Sequence, residues 1–326
     1  MKNLYPLKFT PIYMDKIWGG QKIKTELGKD FGDLPNCGES WEISGVPGHV
    51  SVVSNGYLAG NSLEELIEIY MGNLVGEHVY EKFSVEFPLL IKFIDANDDL
   101  SVQVHPNDEL AKKRHQAFGK TEMWYVLQAD EGARLNCGFN QPLDANKYLQ
   151  MLSAGKLMDI LNFVEVKPGD IYFTPAGRVH AIGKGTLLTE IQQTSDVTYR
   201  IYDYNRKDAN GNERELHTEL ALEAIDFTYH DSYRTDYKNE LNKSTEVVSC
   251  KYFKTGILEF DQTIEKDIYP LDSFAIYICV EGEYEIVSPG MTEKVKKGET
   301  ILVPASVILF QLKPLSKNVK LLEVHV

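Results

Sequence analysis

Residues 169–180 read Gly-Asp-Ile-Tyr-Phe-Thr-Pro-Ala-Gly-Arg-Val-His, and this stretch limits the fold more narrowly than any other. Gly169 and Asp170 make a turn, after which Ile171, Tyr172 and Phe173 form a short β-prone run. Pro175 has no N–H for a ladder hydrogen bond, and Gly177 permits a second tight bend. The chain therefore runs turn, strand, turn, and re-enters as a strand whose first strong polar residue is His180. A rigid double bend of this kind delivers one imidazole into a barrel, an economical way to build a metal site.

The stretch has an echo. Residues 295–305, Val-Lys-Lys-Gly-Glu-Thr-Ile-Leu-Val-Pro-Ala, restate residues 166–176, Val-Lys-Pro-Gly-Asp-Ile-Tyr-Phe-Thr-Pro-Ala. The same offset carries His180 onto Leu309, which cannot bind a metal. Aligning Tyr125-Val126-Leu127 with Tyr277-Ile278-Cys279 places Phe274 opposite Glu122. The second copy keeps the barrel pattern and loses the ligands, so the chemistry is expected in the first alone. The spacing of 169–180 (glycine, five residues, proline, one, glycine, two, histidine) resembles the second signature of the cupin barrel. That resemblance implies a mainly β protein: two cupin (jelly-roll) barrels with a few helices packed on or inserted in the N-terminal part.

The expected division is a catalytic metal-binding barrel over 1–228, a polar, tyrosine-rich linker or crossover over 229–246, and a degenerate barrel without metal ligands over 247–326. Helical segments are expected near 61–83, 109–117, 144–161 and 213–226. The first opens on a capping box, Ser62-Leu63-Glu64-Glu65, with Leu66, Ile67 and Tyr70 following at helical spacing and Gly72 or Asn73 to stop it. The apolar run 87–104, broken only by the polar residues 95–99, reads as a hairpin, with Asp108 capping the helix that follows. The segments around Trp18 and around Glu39 and Trp41 read as core and turn.

At 326 residues the chain can bury ample core, and 43% apolar and 25% charged residues are ordinary for a globular protein. A net charge of −14 steers against nucleic acid and anionic membranes, so an anionic ligand needs a local basic cluster. No apolar run approaches a membrane span, and Met1-Lys2-Asn3 leads into mixed sequence without a signal-peptide core. Cys37, Cys137, Cys250 and Cys279 form no CxxC pair. Reduced thiols and a cytoplasmic location are expected.

Period-two alternation puts Ser101, Gln103 and His105 on one face of a strand. Glu122 opens the next paired segment, and His180 enters from the double bend. Inward residues of neighbouring strands converge near one mouth of a small barrel. Two nitrogens and two oxygens, from Gln103, His105, Glu122 and His180, suit one Zn²⁺, and Mn²⁺ or Fe²⁺ fit similar ligands. The histidines at 49, 78, 115, 217, 230 and 325 read as solvated.

The runs 100–108, 120–122 and 175–180, followed by Glu190, Ser195-Asp196 and Arg200, resemble type I mannose-6-phosphate isomerase (phosphomannose isomerase). The short interval between Glu122 and Gly169 is similar to the compact bacterial form. The resemblance implies a zinc site at Gln103, His105, Glu122 and His180 and an essential arginine at Arg200. It implies a substrate pocket containing Lys92, Ser101, Lys120 and Glu190, with Arg206 standing where the family has a lysine. The implied reaction moves a proton between C1 and C2 of a hexose phosphate through an enediolate. Glu190 is then the candidate proton shuttle, and Arg200 stabilises developing negative charge. Lys92, Arg206 and Ser101 are expected to bind the substrate, and Lys120, also available to the phosphate, counts with Arg200 and Glu190 as a catalytic candidate. Two other readings stay open: a metal-dependent cupin dioxygenase and a non-catalytic sugar-binding bicupin. The expected partner is a small sugar phosphate, with neither nucleic acid nor membrane involved, and the chain is a monomer or homodimer.

Overall fold

The computed structural model describes residues 3–207 and 211–326. Met1 and Lys2, read as the start of a chain without a leader, lie outside the described residues. The fold is mainly β, as expected. Its first half places two sheets face to face. Sheet one contains β1 (Ile12–Met14), β2 (Glu39–Ile43), β3 (Leu89–Ala96), β5 (Glu122–Ala129), β8 (Ile171–Thr174) and β10 (Thr186–Gln193), in the order β1-β2-β3-β10-β5-β8. Sheet two contains β4 (Val102–Val104), β6 (Arg134–Phe139), β7 (Leu161–Glu165), β9 (His180–Ile182) and β11 (Tyr199–Tyr202), in the order β11-β4-β9-β6-β7. All pairings are antiparallel.

Between the sheets lies an apolar core in which Ile94, Trp124, Val126 and Leu188 of sheet one meet Leu135, Cys137 and Ile182 of sheet two. The outer face of sheet two is covered by helices Ala145–Ser153 and Thr218–Ala224, through Tyr148, Ala221 and Ile225. The outer face of sheet one, with Leu89, Ile91, Phe93 and Met123, packs into the core of the second half. Strands β3 and β10 are consequently buried on both faces, which is why β3 reads as a nearly unbroken apolar run rather than an alternating one.

That burial corrects the expected hairpin. The two strands of 87–104 form, but β3 pairs with β2 and β10, whereas β4 pairs with β9 and β11. A strand buried on both faces takes a central position with both edges filled, so the polar turn carries the chain across to the other sheet. Asn107, not Asp108, caps helix Asp108–His115, accepting from the Leu110 N–H at 2.9 Å. Asp108 instead accepts from the Gly119 N–H, Gln193 and Tyr252. The capping box at Ser62 and Glu65 is present in both directions, and Met71, at φ 49°, ends that helix before Gly72. The helix expected over 213–226 shortens to Thr218–Ala224, because His217 hydrogen-bonds back to strand β11: its N–H donates to the Arg200 carbonyl at 2.7 Å.

The second half repeats the two-sheet plan. One sheet joins Thr245–Ser249, Lys254–Phe260, Val319–His325, Ala275–Glu281 and Thr300–Val303, and the other joins Ile264–Asp267, Leu309–Pro314, Glu283–Ser288 and Met291–Lys296. Glu122 faces Thr174, and the matching pair here is Ala275 and Val303, so the register counterpart of Glu122 is Ala275 rather than Phe274. Leu309 is 57% exposed, and its neighbour Phe310 turns inward against Tyr277. Buried aromatic rings, Phe260, Tyr277, Tyr284 and Phe310, stand together in the core of this half.

Asp272, from this second half, accepts hydrogen bonds from the Glu77 and His78 N–H groups and so caps helix Glu77–Phe83 from outside. Gly76 makes that approach possible. Its φ is +96°, and a Cβ built on it would lie 1.9 Å from the Asp272 carbonyl oxygen. Gly60 has φ +92° with open space around it. Gly76→Ala is therefore expected to lower stability by about 2–4 kcal/mol and Gly60→Ala by about 1 kcal/mol, compared as urea midpoints.

Candidate metal centre and substrate pocket

Sheet two presents one row of side chains across adjacent strands, Arg200–Gln103–His180–Cys137, each directly opposite the next. His105 continues along the chain from Gln103 and is tied to the double bend, since its carbonyl accepts from the Gly177 N–H at 2.9 Å. Gly169 and Gly177 both adopt φ +92°, the two bends that the glycines were expected to permit. From sheet one, Glu122 faces this row.

The imidazoles are held in a defined tautomer. His105 Nδ1 donates to the Val197 carbonyl at 2.9 Å and His180 Nδ1 to the Arg178 carbonyl at 2.8 Å, because a carbonyl can only accept. Both Nε2 lone pairs are thereby left for Glu122's side of the space. His180 Nε2 lies 3.3 Å from Glu122 Oε1 and His105 Nε2 lies 3.6 Å from Oε2. Ligands about 2.0–2.1 Å from a tetrahedral ion stand about 3.3 Å apart, so the spacing suits a common ion. Among the described residues, His105, Glu122 and His180 form one group whose ligand atoms all lie within 4.8 Å of one another. The Gln103 amide is 3.3 Å from His180 Nε2. A 180° amide rotation offers its oxygen at that point.

The donor set passes a chemical test of fit. Glu122 is fully buried, and neither carboxylate oxygen accepts a well-aligned hydrogen bond. Burial, reinforced by the Glu190 charge, pushes its carboxyl up to about 8, against the pull of Lys120 and Lys92. An ionised Glu122 at neutral pH therefore calls for further positive charge, which a divalent ion supplies. Burial holds His105 well below the ordinary imidazole range, with Lys120 adding to it, and brings His180 down to about 4. Both rings are neutral near pH 7, the form that ligates metals.

A second row crosses sheet one at the same depth: Trp41, Lys92, Glu190 and Trp124, again directly opposed. Lys92 Nζ donates to Glu190 Oε1 at 3.1 Å, and Trp124 Nε1 donates to Oε2 at 2.9 Å. Burial alone would raise the Glu190 carboxyl, but Lys92, Lys120 and the bond from Trp124 outweigh it and hold it near 2. Lys120 Nζ stands 3.2 Å from both His105 Nε2 and Glu122 Oε2. Ser101 is buried just before β4. Arg200, half-buried, donates from Nη1 to the Glu215 carbonyl at 3.0 Å, while its Nε has no partner among the described residues. Arg206 is not brought to this cluster: its guanidinium contacts Asp203, Asp98 and the Asp99 carbonyl. A cavity of about 530 Å³ beside the 183–185 turn contains none of the four donors.

A family model described as the type I phosphomannose isomerase catalytic domain matches residues 6–132. A mannose-6-phosphate isomerase, ManA, of Bacillus subtilis is 36% identical over 94% of this chain and 96% of its own. The chain belongs to the type I phosphomannose isomerases. The mannose-6-phosphate isomerase of Streptococcus mutans is 45% identical over 64% of each chain. The crystal structure of the Bacillus subtilis mannose 6-phosphate isomerase superposes with a TM-score of 0.88 at 32% identity, covering 99% of this chain and 100% of that one. Neither the dioxygenase nor the non-catalytic bicupin is favoured by these relationships.

One carboxylate bordering the Lys92–Glu190 pair of this phosphomannose isomerase escaped the sequence. Glu39, read as part of a core turn, accepts from Trp41 Nε1 at 2.7 Å and lies 4.0 Å from Lys92 Nζ. Its alternation with Trp41, one strand from a lysine set in an apolar run, was the available signal. Histidines read as solvated have partners as well, His78 standing 3.4 Å from Asp272 and His325 3.4 Å from the Val326 carbonyl. His115 hydrogen-bonds the Tyr199 hydroxyl, and His217 Nδ1 accepts from the Arg200 N–H.

His180→Ala is expected to reduce bound metal to a small fraction of the wild-type stoichiometry, read by elemental analysis of protein purified without added metal. Full metal content in that variant would remove His180 from the ligand set.

Proposed function

We propose that the chain interconverts mannose 6-phosphate and fructose 6-phosphate, with Gln103, His105, Glu122 and His180 holding one Zn²⁺ per chain. The observation carrying this reading is the buried Glu122 carboxylate, which accepts no well-aligned hydrogen bond among the described residues, set against two Nε2 lone pairs, in a chain of this family. Mn²⁺ and Fe²⁺ accept the same donors, and the two-nitrogen, two-oxygen set favours zinc. The bound ion would supply a Lewis acid for the sugar oxygens at C1 and C2.

The chain's own residues do the rest. Arg200, directly opposite Gln103, is placed to stabilise negative charge as the enediolate develops, and its unpartnered Nε is a donor in reserve. Lys92 and Lys120 are assigned to the phosphate, with Ser101 as a hydroxyl donor. Arg206 is the weakest member of that set, because its guanidinium is turned to Asp98 and to Asp203, which it shares with Arg214. Glu190 is assigned as the proton shuttle. At rest it is a poor base, since its two lysine neighbours hold it ionised. Phosphate binding to those lysines would loosen that hold and raise its affinity for a proton toward the working range.

Residues 1–228 are assigned the chemistry. Residues 229–246 serve as a crossover strapped along the first barrel, where the Tyr237 hydroxyl donates to the Gly169 carbonyl at 2.8 Å. Residues 247–326 serve as a structural barrel. Among the described residues no helix is long and apolar enough to cross a membrane. A cytoplasmic monomer or homodimer is the proposed working form.

A coupled assay tests the reading. Mannose 6-phosphate should yield fructose 6-phosphate, EDTA should abolish turnover, and Zn²⁺ should restore it. Undiminished turnover after complete metal removal would sink the proposal. Arg200→Ala should lower kcat by roughly 100-fold, and Arg200→Lys should recover little, because an ammonium does not reproduce the planar guanidinium.

A further inference from the structure

We infer that Trp124 is a positioning residue: its indole N–H orients the Glu190 carboxylate while its ring fixes the His180 imidazole, so one side chain sets the spacing between the two. The inference deepens the isomerase reading and rests on it, since it assigns Glu190 a place at the reacting carbons.

Trp124 follows Glu122 by two residues on β5, so both side chains point into the space between the sheets. It is completely buried. Its register partner on β10 is Glu190, whose partner on β3 is Lys92. The carboxylate is therefore gripped from both sides, one oxygen by each neighbour. The two grips differ in kind. Lys92 offers three rotatable donors on a flexible stem and fixes little about the carboxylate plane. The indole offers one donor in the plane of a rigid ring, so its bond selects one rotation of the carboxylate.

The other end of the indole reaches sheet two. The rings of Trp124 and His180 lie 5.3 Å apart at 74°, an edge-to-face contact. The His180 ring otherwise has its Nδ1 bond to Arg178, the Gln103 amide, the His105 ring at 4.8 Å and Glu122 Oε1 at 3.3 Å around it. Of these only Glu122, a proposed ligand from Trp124's own strand, comes from sheet one, and among the described residues no hydrogen bond joins its carboxylate to that of Glu190. Trp124 thus joins a carboxylate on one sheet to an imidazole on the other. A core residue required only to fill volume could be phenylalanine. What distinguishes tryptophan here is a buried N–H spent on a buried carboxylate oxygen.

Trp124→Phe keeps most of the ring and removes the donor. It should lower kcat about tenfold while KM for mannose 6-phosphate stays within about twofold, with metal content and thermal midpoint near wild type. In a Glu190→Gln background the same substitution should cost less than about twofold, because the oriented carboxylate is already gone. Equal losses in the two backgrounds, or a kcat within twofold of wild type, overturn the inference. So does a loss that merely tracks metal content or melting temperature.

Should Trp124→Phe fail to fold, the bond is read from the other partner. With tryptophan ¹⁵N-labelled, the indole N–H of Trp124 should resist solvent exchange in the wild type. In Glu190→Ala it should exchange more than about tenfold faster, while that of Trp18 is unchanged. Trp18→Phe and Trp41→Phe supply the assignments, since the chain has three tryptophans. Equal exchange with and without the Glu190 carboxylate overturns the inference by this route. A wild-type protein without isomerase turnover would refute the functional reading alone, and the exchange measurement would still report on the bond.

Discussion

A carboxylate that is fully buried and accepts no well-aligned hydrogen bond is a liability in any fold, and Glu122 is one. Burying such an ion costs several kcal/mol unless positive charge or donors compensate. A protein built for stability alone would place a methionine or leucine there at no loss. Glu122 is tolerable only because two neutral imidazoles and the Lys120 ammonium surround it, and because its oxygens suit a cation better than an N–H. The surrounding architecture follows from keeping that cluster closed. Two sheets must meet face to face at one height, Val197 and Arg178 must each give a carbonyl to an Nδ1, and the double bend must pin His105 and His180 together.

The second half of the chain shows what the same plan becomes without that requirement. Ala275 stands in the register position of Glu122, and a methyl group leaves room for rings. Phe260, Tyr277, Tyr284 and Phe310 take part in filling it. Where the first half turns His180 inward, the second turns Leu309 out and Phe310 in, the face exchange that a one-residue slip produces in a strand. The two halves share a backbone rule, and differ in whether the space between the sheets is filled by apolar contact or left to charge.

The sequence revealed what depends on local chemistry. Gly169, Pro175 and Gly177 impose bends whatever surrounds them, so the delivery of His180 was legible, as was the capping box at Ser62. The alternation that aligns Gln103 with His105 was legible for the same reason. Pairing was not. Residues 87–104 read as a hairpin because a polar turn between two apolar strands is the usual hairpin signal, and only the burial of both faces of β3 sends the second strand to the other sheet. Trp41 packs with Val46 and Leu90 as the core residue it was read as, whereas the place of Glu39 was missed because a carboxylate beside glycine and tryptophan looks the same in a turn as beside a buried lysine. What distinguishes them is Lys92 on the neighbouring strand, a fact of register. Arg206, a cation at a suggestive position, faces Asp203, a carboxylate it shares with Arg214, which again is a fact of tertiary placement.

Charge balance explains why so acidic a chain can receive an anion. Around the site, Glu39, Glu122 and Glu190 face Lys92 and Lys120, with Lys16 standing 3.6 Å from Glu39. Three carboxylates thus meet three ammonium groups, and a divalent ion and Arg200 add positive charge to that balance. A phosphate monoester carries close to two negative charges at neutral pH, so it offsets most of what the ion and Arg200 bring. Cancellation matters more here than at a surface, because buried groups are poorly screened and any remainder is costly. The carboxylates therefore do more than offset lysines. Without them, two lysines, an arginine and a divalent ion would repel one another in a space of low polarity, and with them a bound phosphate has only a small remainder of positive charge to meet.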